Sequence, residues 1–589
     1  MIYLFGWNSR IKKDKAVKFF KEIVEEEGNT SHTETTGKEE LKYALYFLGK
    51  QCYESEEKNL EKSIEFYERA IQMGEICSMV DLAVIYQEEP KIKDFKKAIE
   101  LYEKSIELGC CSAMHSLGSL LYKGDKTNGI KKNVARAVEL FERAKQSNFS
   151  KSIYNLATIY KKGNEKAGIK KDFQKAVEYL EIASQMNNSK AMNNFANILK
   201  RGDEIEGVKK DFRKCVELYE KAVELGNEQA LFNLGLIYCE GDEKEGFKKN
   251  IHKAIDLFER AIEKGHTKSM YTLSNILKKG DDQEGIKKNF NKAVELLESA
   301  VEKGHAKSMY NLGLLYHNSE NKEINKDVEK SIELYEKAIE HGNLKALYNL
   351  ALIYKKSKTK RNIRKSIELF ERAIEKGNAK AMYNLAIIYH EGDKNEGIKK
   401  DLKKSIELYG RAIKLGNVKA IYNLANIYKK GDETEQVKKD LKKAVKLFEM
   451  AIEKGVEKAM YNLAIIYKKG DEKEGVKKNI HKSIELYEKA IECNHKKSLY
   501  NLANIYIEGD EKEGIEKNFQ KAFELYNRGI KFGDPKAMYS MGLIFKKGNT
   551  KEGIKIDVHK AVELFQKAIE LGDVKSMNSL GKVFICFSS

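Results

Sequence analysis

A column of asparagines recurs along this 589-residue chain: Asn155, Asn194, Asn233, Asn311, Asn349, Asn384, Asn423, Asn462 and Asn501. Four residues before this position many copies carry lysine, as at Lys151, Lys268, Lys307, Lys380, Lys419 and Lys458. A four-residue offset sets both side chains on one face of a helix. An asparagine amide donates and accepts together, so a row of them can pair with the backbone of an extended peptide without reading its sequence. Ammonium groups alongside favour acidic side chains or a carboxyl terminus. Seven residues beyond the asparagine position stand further basic residues, Lys162, Arg201, Lys279, Lys356, Lys430 and Lys469, which would flank the amides on the other side. Asparagine here is equally suited to hydrogen bonding inside the array, and duplication alone makes a column uniform. Both readings stay open at this point.

Other recurring groups do less. The lysine pairs Lys170-Lys171, Lys209-Lys210, Lys248-Lys249, Lys287-Lys288, Lys399-Lys400, Lys438-Lys439 and Lys477-Lys478 precede a helical segment, where positive charge opposes the helix dipole. They read as a solvated edge that the acidic Gly-Asp-x-x-Glu-Gly loops can neutralise. Asp393 and Glu396 in such a loop supply too few oxygens for calcium. The histidines are scattered, with His252 and His266 too far apart for a helix-borne zinc motif. No nucleophile, base and orienting group come together, so no enzyme activity, cofactor or metal is expected.

The elements that position these columns follow from one period. Leu48, Leu82, Leu117, Leu156, Phe195, Leu234, Leu273, Leu312, Leu350, Leu385, Leu424, Leu463, Leu502, Met541 and Leu580 recur at 39 residues for most steps and at 34, 35 or 38 for the rest. Within the copy 379–416, Leu385, Ile388 and Tyr389 form one helical stripe, which defines helix A. Ser405, Ile406, Tyr409, Ala412 and Ile413 form a second, helix B. Asp401 is placed to cap helix B, as are Asp172, Asp211, Asn250, Asn289, Asp440, Asn479, Asn518 and Asp557 in other copies. Every copy ends helix B with Gly or Asn, among them Asn148, Asn187, Gly416 and Asn494, the residues that tolerate a left-handed cap. One helix pair cannot bury both its faces, so neighbours must stack.

Composition agrees with an extended helical surface. Charged residues make up 34% and hydrophobic residues 41%, and only two prolines interrupt the chain. The net charge is +18, but few of the basic residues are arginine, whose planar fork suits phosphate, and glutamates interleave throughout. The apolar run at the amino terminus is too short for a signal peptide or a membrane span, which points to the cytoplasm. The eight cysteines follow no regular spacing, so neither a disulfide framework nor a zinc site is expected.

Ala381-Met382-Tyr383-Asn384-Leu385-Ala386, then Tyr389, Gly392-Asp393, Gly397-Ile398, Asp401, Lys404-Ser405, Tyr409, Ala412 and Gly416-Asn417 resemble the Sel1-like repeat, a longer relative of the tetratricopeptide repeat. The resemblance runs from about residue 40 to the end. Lysine, as at Lys399, stands where the family commonly has proline, and the cysteine pair of secreted members is missing. The resemblance implies an all-α, right-handed α/α superhelical solenoid of antiparallel helix pairs, with helix A on the concave face. It implies a non-enzymatic scaffold or adaptor that binds proteins or extended peptides in that groove. The alternative is a helical-repeat RNA-binding protein. Base-by-base reading needs side chains that vary between repeats, whereas these columns are nearly invariant.

Three segments are expected: a half-repeat helix around Lys15–Phe20 with a polar linker, together 1–39; about fourteen helix pairs over 40–572; and a final unpaired helix at 573–589. Val583, Phe584, Ile585 and Phe587 on that last helix would leave an apolar end suited to self-association. Cys586 has the spacing of a prenylation box, though serine replaces its usual aliphatic residue and no basic tail leads to it.

Overall fold

The computed structural model describes residues 18, 20–24, 35–55, 58–203, 205–318, 326–357, 361–550 and 553–588, with backbone alone at 35–37 and 584–588. The expectations for Lys15, Ala16, Val17, Phe19 and the linker 29–34 lie outside the described residues. So do those for the side chains of Phe584, Ile585, Cys586 and Phe587.

Two units divide the chain, Met1–Leu296 and Leu297–Ser589. Both are all-α solenoids of antiparallel helix pairs, and the chain is 73% helical. Helices of the first unit run from Thr35–Glu54 to Thr267–Lys279, those of the second from Ala306–Asn318 to Val574–Ser588. Among the described residues no helix is long and apolar enough to cross a membrane.

The pair Ala379–Glu391 and Leu402–Lys414 shows why the repeat folds this way. Asn378 accepts from the backbone N–H groups of Lys380 and Ala381, and Asp401 from that of Lys404 at 2.9 Å, so both helices begin on a side-chain cap. Asp401→Ala is expected to cost about 1 kcal/mol of local stability. Faster hydrogen exchange across Leu402–Lys414 would register the loss, and unchanged protection would show the cap to be idle. Helix B ends on Gly416 at φ 81°, and Asn148, Asn187 and Asn494 take the same left-handed conformation at φ 55°, 58° and 63°. The loop after helix A closes through paired backbone bonds, as between Asp471 and Val476. There Gly470 is required twice over: its φ is 61°, and a Cβ would lie 2.6 Å from the Lys478 nitrogen.

Helix A packs most extensively on its own helix B, and helix B on the following helix A. Leu385, Tyr409, Ala412 and Phe448 are buried, at about 1.5–3 kcal/mol for each large side chain. The buried Ser405 hydroxyl donates to the Ala386 carbonyl at 2.8 Å, and Ser366 and Ser483 repeat the contact on Ala351 and Ala464. A small residue at this position therefore both lets the helices approach and satisfies a buried hydroxyl. Tyr383 meets Tyr409 across the pair with ring centroids 6.0 Å apart.

Candidate functional site on the helix A face

Within each unit the asparagines lie half-buried along the face formed by successive helices A, with Asn384 in the second unit buried at 9% exposure. Most of their amide hydrogens are committed to neighbouring repeats. Asn384 Nδ2 donates to Tyr348 Oη at 3.2 Å and to its own helix at the Lys380 carbonyl, 3.0 Å. Asn462 donates to Tyr422 Oη at 2.8 Å, Asn349 to Tyr310 Oη at 3.1 Å, and Asn194 to Tyr154 Oη at 3.1 Å. Asn423 lies between Tyr409 Oη and Tyr383 Oη, at 3.2 and 3.5 Å. Where the position equivalent to Tyr154 on the preceding helix A is not tyrosine, as at His115 and Asn193, the bond goes elsewhere: Asn155 to Ser119 Oγ and Asn233 to Asn193 Oδ1. Asn501 faces the phenol of the buried Tyr487, and Asn311 is also partnered. The amides of Asn155, Asn194, Asn233, Asn349, Asn384, Asn423 and Asn462 thus tie one helix A to the helix A before it.

The lysines four residues earlier differ. Lys151, Lys268, Lys307, Lys380, Lys419 and Lys458 are all exposed, as are Lys162, Arg201, Lys279, Lys356, Lys430 and Lys469 at the far end of the same helices. The structure therefore brings the two basic columns to the borders of a hydrogen-bonded amide floor.

Between them lies a column that the repeat pattern did not single out. Lys278, Lys355, Lys429 and Lys468, with His317 and His390 at the equivalent position, are half-buried five residues after the core leucine. Burial pushes the proton affinity of Lys278, Lys355 and Lys429 down, and Lys430 and Lys469 add repulsion at Lys429. Lys429 Nζ donates to Asn462 Oδ1 of the next repeat at 2.7 Å. The signal in the sequence was the recurrence of Lys and His at this offset. Its meaning was hidden because the amide it meets belongs to another repeat.

Elsewhere many basic groups are paired. On helix B, Lys365, Lys330 and Lys482 reach Glu336, Glu298 and Glu449 of the preceding helix B at 3.1, 3.1 and 3.3 Å. The loop lysines form a clasp between repeats. The second lysine of a pair meets a carboxylate of the next repeat's loop: Lys171 with Glu206 and Lys210 with Glu245, each at 2.8 Å, and Lys249, Lys400, Lys439 and Lys478 with Asp281, Asp432, Asp471 and Asp510. The loop glutamate completes the clasp by accepting from the first amide of the preceding helix B, as Glu396 does from Ile363 at 2.8 Å. The neutralising acid thus comes from the following repeat's loop. The first lysine of each pair remains exposed.

This clasp is acid-sensitive. Hydrogen bonds from Lys249, Lys400, Lys439 and Lys478 hold the carboxyls of Asp281, Asp432, Asp471 and Asp510 below the usual aspartate range. A depressed folded pKa gives stabilisation that is present above the unfolded value of about 4 and is lost as pH falls through the folded value. The thermal midpoint is therefore expected to drop below about pH 4. Joint Asp432→Asn, Asp471→Asn and Asp510→Asn substitution should lower it at neutral pH and flatten the acid decline. An equally steep decline in that variant would place the acid sensitivity elsewhere.

Comparison with known proteins agrees with this geometry. The Sel1 repeat family model matches fourteen stretches of the chain, from 42–75 through 379–417 to 535–573. A protective antigen present in uropathogenic Escherichia coli strains, displaying an SLR fold, is similar at a TM-score of 0.59 and 24% identity, over 82% of this chain and 97% of that one. A Sel1 repeat protein from Oxalobacter formigenes is 20% identical over 56% of this chain and 90% of its own, at a TM-score of 0.44. No curated protein matches the sequence.

Proposed function

The chain belongs to the Sel1 repeat family, and from that premise we propose that it is a non-enzymatic scaffold of the cytoplasm that holds extended peptide segments of partner proteins on its helix A face. The family is generally a protein-interaction scaffold, which supports the class of function. The observation that carries the site is the contrast between faces. Many lysines of helix B and the loops are paired with carboxylates of adjoining repeats, whereas exposed lysines border the helix A floor. In this reading Asn155, Asn194, Asn233, Asn311, Asn349, Asn384, Asn423, Asn462 and Asn501 form the floor. Lys151, Lys268, Lys307, Lys380, Lys419 and Lys458 meet the ligand.

A charge-matched comparison tests it. One variant carries Lys380→Glu, Lys419→Glu and Lys458→Glu; the other carries Lys414→Glu, Lys446→Glu and Lys531→Glu, at exposed helix B positions. Both change net charge equally. Binding of a degenerate acidic peptide pool, followed by fluorescence anisotropy, is expected to weaken about tenfold or more in the first variant and less than about twofold in the second. Equal loss in both would assign the binding to overall charge and dismiss the groove.

A further inference from the structure

We propose that the helix A face of the second unit selects an extended acidic peptide whose carboxylates recur at every third residue, met in turn by Lys355, His390 and Lys429. This rests on the peptide reading above and adds a ligand register to it.

The three residues occupy one position in successive repeats, in the last turn of Lys345–Lys356, Ala379–Glu391 and Val418–Lys430. All three are half-buried. Lys355 Nζ lies 3.5 Å from both the backbone oxygen and Oδ1 of Asn384, and Lys429 Nζ lies 2.7 Å from Asn462 Oδ1. Among the described residues, then, these two cations meet neutral amide oxygens and no carboxylate within ion-pair distance; Glu391 acts on Lys355 only from farther away. Lys468, the next member of the column, is already paired with Glu508 at 3.3 Å and closes the strip. A helix carboxyl terminus favours a cation, which accounts for lysine at this point. It does not account for leaving a half-buried one without an anion while many lysines of helix B and the loops, although more exposed, have theirs. Three residues earlier on the same helices, Leu352, Ile387 and Asn426 are half-buried, so the cations border a largely apolar strip where an ion pair is screened less.

Register follows from repeat geometry. Successive helices A touch, as the Asn423 to Tyr383 contact shows, and packed helices lie about 8–10 Å apart. A peptide in the polyproline II conformation advances about 3.1 Å per residue with three residues per turn, so three residues cover about 9 Å, one repeat, and bring the side chain back to the same face. A carboxylate at every third position therefore meets one column member each time. A single-stranded nucleic acid would need free aromatic faces for stacking. The tyrosines of this stretch, Tyr348, Tyr383 and Tyr422, instead pack against Phe370, Tyr409 and Phe448.

The test uses the full chain and three fluorescein-labelled probes of equal length: a Glu-Ser-Ala repeat peptide, a peptide of the same composition with its glutamates contiguous, and oligouridine. The spaced peptide is expected to bind at least about fivefold tighter than the contiguous one, with about tenfold lost for each of Lys355→Gln and Lys429→Gln and little lost for Lys429→Arg. Glutamine keeps an amide donor toward Asn384 or Asn462, and thermal midpoints establish that the variants fold. Equal affinity for both peptides would overturn the register while leaving the peptide groove standing. Undiminished binding by the two glutamine variants would overturn the column. Tighter binding of oligouridine would assign the face to nucleic acid, and failure of every peptide to bind would remove the groove and the register together.

Discussion

Replacing Phe448 by alanine is expected to lower the stability of its stretch of the solenoid by about 3–5 kcal/mol, the range for emptying a buried aromatic site. Phe448 is fully buried in helix B, Leu441–Glu453, and its ring lies 6.0 Å from that of Tyr422 on helix A. In other copies the equivalent ring leaves no space even for a methyl group, since a Cβ at Gly542 would fall 2.6 Å from Phe565 and one at Gly235 would fall 2.7 Å from Phe258. Because repeat stability is a sum of intrinsic terms and nearest-neighbour interfaces, the loss should open the surrounding repeats before distant ones. Hydrogen exchange measured along the full chain should show protection falling most across 418–469. A change below about 1 kcal/mol, or one spread evenly over the chain, would contradict this account of the core.

Joint substitution of Asn384, Asn423 and Asn462 by alanine is the second large effect, and its expected sign differs between the two readings of the column. As ligand contacts, these residues would affect binding more than stability. As placed, they hold neighbouring helices together: all three reach tyrosines of the preceding helix A, and Asn423 also bonds the buried Tyr409 on the preceding repeat's helix B. Each lost bond costs about 0.5–1.5 kcal/mol, and somewhat more where the phenol left behind is buried. Alanine returns about 0.5 kcal/mol per position through helix propensity. The net expectation is about 2–3 kcal/mol of local stability, with peptide affinity per folded molecule changed by less than about threefold. Lost binding at an unchanged melting temperature would instead make the amides themselves the ligand contacts.

The repeat, both helices and their ends were legible in the sequence because their causes are local. Leu385, Ile388 and Tyr389 share a stripe within nine residues, Asp401 caps an amide three residues on, and Gly416 or Asn494 needs only its own φ. These short-range rules act whatever the rest of the chain does. The proximity of the Lys380 and Asn384 columns was legible for the same reason.

What only the tertiary structure decided is which column meets which across repeats. Asn462 finds Tyr422 at a separation of 40 residues, Lys429 finds Asn462 at 33, and Lys439 finds Asp471 at 32. In a periodic sequence each column recurs in every copy, so spacing alone is compatible with many pairings between one repeat and the next. Stacking removes that degeneracy by fixing the rotation and rise from each helix pair to its neighbour. It sets an asparagine amide beside a tyrosine hydroxyl and carries a loop aspartate to the lysine of the preceding repeat. It leaves Lys355 and Lys429 half-buried against amide oxygens, with no carboxylate in reach among the described residues.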